Sequence, residues 1–70
     1  MTREQLKNGM EVCHTKYNRN YRVVSCNMRL KDSIMLWIDA VVYAPLYENE
    51  YECFCREIGD FLEEFEVVEE

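Results

Sequence analysis

The stretch over residues 41–65 constrains the fold most, because it reads as two β-rich runs joined by a polar corner and followed by an amphipathic segment. Residues 41–43 are Val, Val and Tyr, which fit a pleated, half-buried surface. Pro45 ends this run because it has no N–H to donate to a ladder. Residues 51–56 then alternate with period two, although neither face is purely apolar. The stretch therefore predicts a mainly β chain.

Strand patterns also occur on both sides of this unit. In residues 10–16, Met10, Val12 and His14 fall on one face of a first strand. Residues 21–28 are rich in residue types that favour strands and predict a second one. The predicted turns cover residues 17–20 and 29–33, and a short terminal strand covers residues 64–68.

Helical signals are short and lie near the two ends of the chain. Thr2, with Gln5 three residues later, predicts a capped helical turn over residues 2–7 that Gly9 ends. Gly59 weakens any long helix in the C-terminal part. The apolar residues there stand at helical offsets: Ile58, Phe61, Leu62 and Phe65. Together the patterns predict a small antiparallel barrel or strongly bent sheet with one short helical or 3-10 turn near the C-terminus.

The length of 70 residues predicts a single domain, residues 1–70, that depends on few stabilising contacts. A core of this size supplies about 3–5 kcal/mol, so small folds often rely on a partner subunit. The residues after Met1 are polar, with no apolar segment that would indicate secretion. The most apolar run, residues 34–47, contains Asp39 and Pro45 and is too short to cross a bilayer. We therefore expect a soluble, cytoplasmic protein with no membrane partner.

Charge is distributed unevenly along this acidic chain, whose net charge is −6. Residues 1–31 contain seven basic and two acidic residues (net +5), and residues 32–70 contain one basic and twelve acidic residues (net −11). One interpretation is a dipolar molecule whose basic part binds anions and whose acidic part repels or mimics nucleic acid. The other is that opposite charges pair across the sheet and cancel locally. The acidic half disfavours nucleic acid as a partner.

Residues 34–38 are five consecutive large apolar residues, Ile, Met, Leu, Trp and Ile. A strand with one face in water alternates, and this run does not. Three interpretations follow: a central strand covered on both faces, a strand with one face at a subunit interface, or a buried helix. The interface interpretation assigns Ile34, Leu36, Trp37 and Ile38 to the contact.

The four cysteines lie within predicted strands, where small thiol side chains pack well. In a cytoplasmic protein we expect buried free thiols rather than disulfides. A zinc site built from Cys13, His14, Cys53 and Cys55 is the alternative, but a single spacer between paired cysteines is shorter than the usual two to four residues. Neither a metal nor another cofactor is predicted.

Catalytic residues are scarce in this chain. His14 is the single histidine, and neither Ser25 nor Ser33 lies in a recognisable nucleophile motif. Gly9 and Gly59 are the only glycines, so the sequence has no glycine loop to hold a phosphate. The sequence predicts a protein that is not an enzyme.

Polar and aromatic residues on different strands predict a ligand pocket. His14 and Lys16 are two apart on one predicted strand and so face the same way, and Arg56 lies on a strand expected to pair near Tyr43. Basic side chains bind anions, and tyrosines supply flat amphipathic walls. The alternative is that the tyrosines fill the barrel, that Arg56 pairs with an acid such as Asp39 or Glu52, and that His14 is a satisfied strand histidine. The predicted ligand residues are His14, Lys16, Tyr21, Tyr43, Tyr47 and Arg56.

Several of these residues fall in an ordered series of motifs. The series is a glycine, H-x-K, Y-x-V, VVY-x-x-LY and W-V-R-P-x-x-x-F. The matches are Gly9, His14, Lys16, Tyr21, Val23, Val41, Val42, Tyr43, Leu46, Tyr47, Arg56 and Phe61, whereas Phe54 replaces the tryptophan, Glu57 the proline and Tyr17 a glycine after the lysine. With its motifs in this order, the chain resembles domain-of-unknown-function family 1653, which is found in bacteria and phages. The resemblance covers about residues 9–67. The resemblance implies a small SH3-like β-barrel and no particular reaction.

We therefore predict a small non-catalytic binding or adaptor domain that acts through protein contacts, encoded by a phage or mobile element. Its expected partner is another protein or a second copy forming a homodimer. The alternative is a protein that binds a small anion or nucleotide in the Tyr, Arg and Lys pocket. Nucleic-acid binding is a further alternative, through Tyr17, Arg19, Tyr21 and Arg22, which are basic and aromatic as in single-strand binders. An acidic mimic of nucleic acid is the inverse possibility.

Overall fold

The structure is a computed structural model that describes residues 1–31 and 34–68. Its strands are β1 (Glu11–His14), β2 (Arg19–Lys31), β3 (Trp37–Pro45), β4 (Phe54–Glu57) and β5 (Phe65–Val67), with a 3-10 turn at Arg3–Gln5 and one helix, α1 (Ile58–Glu64). The strands form one antiparallel sheet in the order β4-β3-β2-β1-β5, in which β4 and β5 are the edges. The prediction of a mainly β antiparallel fold with a short helix near the C-terminus is confirmed.

The core lies where α1 packs against the sheet. Ile58 and Phe61 are the buried residues of α1, and Phe61 stacks on Phe65 with ring centroids 4.2 Å apart. Val12 and Val23 contribute fully buried side chains from β1 and β2. Burying a side chain of this size stabilises the fold by about 1.5–3 kcal/mol. The apolar residues predicted at helical spacing in the C-terminal segment therefore contribute side chains to the core.

The first hairpin turns through an asparagine. β1 ends at His14, and the N–H of Asn18 donates to the carbonyl of His14 at 2.8 Å. Asn18 has a φ of 52°, in the left-handed region that asparagine tolerates better than most residues. The turn predicted over residues 17–20 is confirmed for residues 17 and 18 but wrong for Arg19 and Asn20, which begin β2. The first strand predicted over residues 10–16 starts one residue too early and ends two residues too late.

The second hairpin differs most from the prediction. β2 continues to Lys31, so the turn predicted over residues 29–33 is wrong for residues 29–31, and residues 32 and 33 lie outside the described part of the chain. Residues 34–36 form no strand, with Met35 at a φ of 66°, and β3 begins at Trp37. Both the covered central strand and the buried helix predicted for residues 34–38 are wrong, because most of these side chains are exposed.

The chain ends fold largely as predicted. The N–H of Thr2 donates to Gln5 Oε1 at 2.9 Å, consistent with the predicted N-terminal cap. The strand predicted over residues 51–56 is shorter, since β4 starts only at Phe54. Val67 pairs with Val12, which places the terminal strand beside β1. Within the described residues, no helix is long and apolar enough to cross a membrane.

Candidate functional site

An aromatic cavity of about 390 Å³ opens beside the β1–β2 turn. Five of the six predicted ligand residues line it, and the sixth, Lys16, does not. The lining residues are His14, Tyr17, Arg19, Tyr21, Tyr43, Tyr47, Phe54, Arg56 and Phe65. Most of the predicted cluster therefore comes together in one place, as the pocket hypothesis requires.

The floor of the cavity is a set of interlocked aromatic rings. Tyr21 and Tyr43 are buried on neighbouring strands, and their rings meet edge to face with centroids 5.2 Å apart. Phe65 contacts Tyr43 in the same manner at 5.0 Å. Edge-to-face pairs add about 0.5–1.5 kcal/mol beyond the area that they bury. The interpretation that tyrosines fill the fold thus holds for the floor, while the space above it stays open.

Arg56 is fixed at one wall of the cavity by three contacts. Its Nε donates to Tyr43 Oη at 3.2 Å, its Nη1 donates to Asp60 Oδ2 at 2.8 Å, and its guanidinium lies 5.5 Å from the Phe65 ring centroid. The hydrogen bond to Tyr43 raises the pKa of Arg56. Arg56 does pair with an acid, as the alternative predicted, but the acid is Asp60 rather than Asp39 or Glu52, because α1 begins directly after β4 and brings Asp60 within reach.

Tyr47 and Arg19 form the opposite wall. The hydroxyls of Tyr47 and Tyr21 lie 2.8 Å apart, and Asn49 Nδ2 also donates to Tyr47 Oη at 3.3 Å. Burial raises the pKa of Tyr21 to about 12, whereas the hydrogen bond from Tyr21 lowers the pKa of Tyr47. The guanidinium of Arg19 lies over the Tyr47 ring, 4.7 Å from its centroid. Tyr47 therefore contacts Tyr21, Asn49 and Arg19 at this wall.

His14 is a buried and neutral member of the site. Its ring stacks on Tyr17 at 5.1 Å and contacts Phe65 at 4.8 Å. Burial, followed by the charge of Arg56, lowers the pKa of His14 below 6.5. Its Nε2 lies 3.6 Å from Glu64 Oε2, but a neutral imidazole makes this contact polar rather than ionic at pH 7.

The differences from the predicted site have simple causes. Lys16 lies in the turn because β1 ends at His14, and its Nζ is 5.4 Å from the Tyr17 ring centroid. Arg19 and Tyr21 are two apart on β2, so the sequence spacing did carry a signal for Arg19. Phe54 stands two residues before Arg56 on β4 and carried the same signal. The lining residues absent from the predicted ligand set are Tyr17, Arg19, Phe54 and Phe65, of which Tyr17 and Arg19 were named only for nucleic-acid binding.

The cysteines are free thiols of differing exposure. Cys13 and Cys26 are half-buried, whereas Cys53 and Cys55 are exposed. The prediction of burial is wrong for this second pair, because Cys53 precedes β4 and Cys55 alternates with the lining residues of that strand. In residues 1–31 and 34–68, no group of three or more His, Cys, Asp or Glu side chains is arranged to hold a metal ion.

Of the four residues suggested for single-stranded nucleic acid, Tyr17, Arg19 and Tyr21 line the cavity, and Arg22 does not. Tyr21 is buried in the cavity floor, and Arg22 points to the other face of β2, where it donates to the carbonyl of Gly9 at 2.9 Å. Tyr17 and Arg19 remain together at the cavity rim. A continuous basic and aromatic track is therefore not formed by these four residues.

A second candidate surface is the outer part of the β2–β3 hairpin, residues 28–31 and 34–39, here called the apolar arm. Met28 pairs with Ala40, and Leu30 pairs with Ile38, so these apolar residues share one face. Arg29 opposite Asp39 and Lys31 opposite Trp37 occupy the other face. The arm thus separates an apolar face from a charged one.

Comparisons with protein-family models, with curated proteins and with solved structures give no match for this chain. Function is therefore inferred from the cavity and the apolar arm.

Proposed function

We propose that this protein is a small non-catalytic adaptor domain that acts through protein contacts made by the apolar arm, and that its first partner is a second copy of the chain. The observation that carries the proposal is the exposure of large apolar side chains there. On the apolar face of the arm, Met28 is 43% exposed and Leu30 51%, whereas the exposed Trp37 lies on the charged face opposite Lys31. Contiguous apolar surface of this kind marks interaction sites in soluble proteins.

The arm lacks the cover that the rest of the sheet has. β4 pairs only with residues 40–43 of β3, and β1 pairs only with residues 19–22 of β2. Among the described residues the arm is therefore a two-stranded ribbon. Such a ribbon is marginally stable in water unless its apolar face packs against something. A partner on that face would supply the missing layer.

A second copy fits because the apolar face matches itself. Two arms related by a two-fold axis bring Met28, Leu30 and Ile38 of each chain together, which makes an isologous contact. Arg29 and Lys31 lie on the opposite face and stay in water. The dimer therefore buries apolar area without burying like charges against each other.

A pair of matched substitutions tests the arm. Leu30→Glu places a charge in the proposed contact, and Val24→Glu makes the same change on β2 outside the arm, where Val24 is 50% exposed. We expect the unchanged protein and the Val24→Glu variant to have twice the 8.5 kDa chain mass by size-exclusion chromatography with light scattering. We expect Leu30→Glu to have the chain mass. Both residues are exposed, so circular dichroism should show both variants folded.

Two results would overturn the proposal. One is an unchanged protein that stays a monomer at about millimolar concentration, where contacts of only about 4 kcal/mol are already detected. The other is a Leu30→Glu variant that dimerises as well as the Val24→Glu variant.

The same proposal assigns the chain to family 1653, with an SH3-like barrel, a phage or mobile-element origin and a cytoplasmic location. The strand order with a short helix between β4 and β5 supports the SH3-like assignment. Burial of the motif residues Tyr21, Val41, Tyr43 and Phe61 supports the family assignment. The free thiols support a reducing compartment.

A further inference from the structure

We propose that the aromatic cavity binds a nucleoside monophosphate, a planar ring carrying one anionic group. The chain has fourteen acidic residues, yet none of those in residues 1–31 and 34–68 lines the cavity, while Arg19 and Arg56 both do. The volume of about 390 Å³ lies within the range of small-molecule sites, roughly 300–1,000 Å³. This inference goes beyond the arm-mediated contact and does not depend on it.

The rim provides a stacking surface for the ring. Tyr17 is 63% exposed and is supported from below by the parallel ring of His14. Phe54, half-buried, lies across the cavity and contacts both Tyr21 and Tyr43. Flat nucleotide bases stack on aromatic side chains of this kind. A base can stack only on a ring whose face is accessible. The exposed ring of Tyr17 meets that requirement.

The anionic group is assigned to Arg19 and Tyr47. No carboxylate in the described part of the chain forms an ion pair with Arg19, whereas the charge of Arg56 is balanced by Asp60 at 2.8 Å. The Tyr47 hydroxyl accepts from Asn49, and the Arg19 guanidinium lies over the Tyr47 ring, so both groups stand at the same wall of the cavity. Hydrogen bonds from a guanidinium to a phosphate are among the strong ones. Because Arg19 is one cation without a carboxylate partner, it can bind one phosphate group.

The ligand is a mononucleotide rather than a strand. The chain carries a net charge of −6, and Glu48 lies beside Arg19 and Tyr47 in the adjoining surface cleft. A second and third phosphate leaving the cavity would meet this negative potential. A polynucleotide therefore gains little beyond its first nucleotide.

Titrations followed by the backbone amide signals in NMR test the proposal with adenosine monophosphate, adenosine and inorganic phosphate. We expect adenosine monophosphate to give saturable shifts at residues lining the cavity. Adenosine and phosphate should each bind at least about tenfold more weakly, since each lacks half of the contacts. A short oligoadenylate should bind no more tightly than the monophosphate.

Exposed side chains supply the variants and the control. Arg19→Ala should weaken adenosine monophosphate binding about tenfold or more, and Tyr17→Ala about fivefold or more. Lys7→Ala removes an exposed cation far from the cavity lining and should change the affinity less than about twofold. The monomeric Leu30→Glu variant should bind as the unchanged protein does, so failure of the dimer and failure of the cavity remain distinguishable.

The proposal is overturned if adenosine monophosphate gives no saturable shifts at about 10 mM, a concentration at which even weak sites fill. Three other results would also overturn it. They are equal affinity for adenosine and its monophosphate, equal losses in Arg19→Ala and Lys7→Ala, and tighter binding of the oligoadenylate.

Discussion

His14 and Tyr21 both lie in the cavity floor, and burial moves their pKa values in opposite directions. Burial disfavours the charged form, which is the cation for histidine and the anion for tyrosine. The pKa of His14 is therefore lowered, and the pKa of Tyr21 is raised to about 12. Both side chains stay neutral at pH 7. The charge that a ligand meets comes from Arg19 and Arg56.

The lowered pKa of His14 predicts a pH-dependent stability. Because the unfolded chain, with a pKa near 6.5, takes up the proton first, the free energy of unfolding should fall as the pH drops below 6.5. The slope contributed by one group is at most about 1.4 kcal/mol per pH unit. The charged groups that act on His14 are Arg56, Glu64, Lys16 and Asp60.

Urea denaturation of the unchanged protein and of His14→Gln, at several values between about pH 5 and 7.5, measures this slope. The variant should lose the part of the slope that His14 contributes, while the carboxylates contribute equally to both proteins. Parallel stability profiles for the two proteins would contradict the assignment.

At the same scale, the sequence grouped Tyr21, Tyr43, Tyr47, His14 and Arg56 but left out three aromatic residues and one charged residue of the cavity. Tyr21, Tyr43 and Arg56 could be grouped because alternation on each strand and an expected pairing were enough to place them. Lys16 was misplaced because where a ladder ends depends on the turn geometry, here the left-handed Asn18. Tyr17 reaches the cavity through that same turn, so no strand period could have assigned it.

At the scale of the elements, the junction of β4 and α1 places Arg56 at the cavity wall and Phe61 in the core. Glu57 stands where the resembled family has proline, and its φ of −60° is a value that proline also adopts. Its carboxylate accepts from the N–H groups of Gly59 at 3.0 Å and Asp60 at 3.2 Å. The glutamate thus keeps the extended corner and caps the helix as well.

Removing this cap should destabilise the protein. Glu57→Ala leaves two N–H groups of α1 without their acceptor, and loss of an N-cap costs about 0.5–2 kcal/mol. Glu63→Ala, an exposed change in the same helix, is the control and should stay within about 0.5 kcal/mol. Urea denaturation measures both. Equal stability of the two variants would show that the carboxylate of Glu57 does not cap the helix.

The boundaries of the elements were predicted least well at the second hairpin. Five apolar residues in a row indicated a covered strand, yet Met35 has a positive φ and Trp37 only begins β3. A run of apolar side chains indicates that a surface will be covered. It does not indicate whether the same chain or a partner chain covers that surface. The alternation of Leu30 with Arg29 and Lys31 was visible in the sequence and would have extended β2 through the predicted turn.

For the whole molecule, shape and charge agree with a small body that carries a projecting arm. The radius of gyration is 12.0 Å, above the about 11 Å typical of a chain of 70 residues. Opposite charges from the two halves of the chain do meet across the sheet, since Asp39 lies 3.9 Å from Arg29 and 3.4 Å from Arg3. The interpretation that charges cancel locally therefore holds on the arm.

The small core predicts a narrow stability margin. Phe61 is fully buried, and Phe→Ala changes in cores cost about 3–5 kcal/mol, comparable with all that a core of this size supplies. Phe61→Ala should therefore be largely unfolded at 25 °C by circular dichroism. Phe54→Ala, at the half-buried cavity wall, should remain folded. A cooperative thermal transition in Phe61→Ala near that of the unchanged protein would contradict this account of the core.

The most direct test of the central claim, that a second copy covers the arm, is amide hydrogen exchange measured by NMR at several protein concentrations. The account predicts that amides in residues 28–31 and 37–39 exchange more slowly as concentration rises, while amides of β1 keep their rates. Arm amides whose exchange rates do not change with concentration would contradict the self-association of the arm.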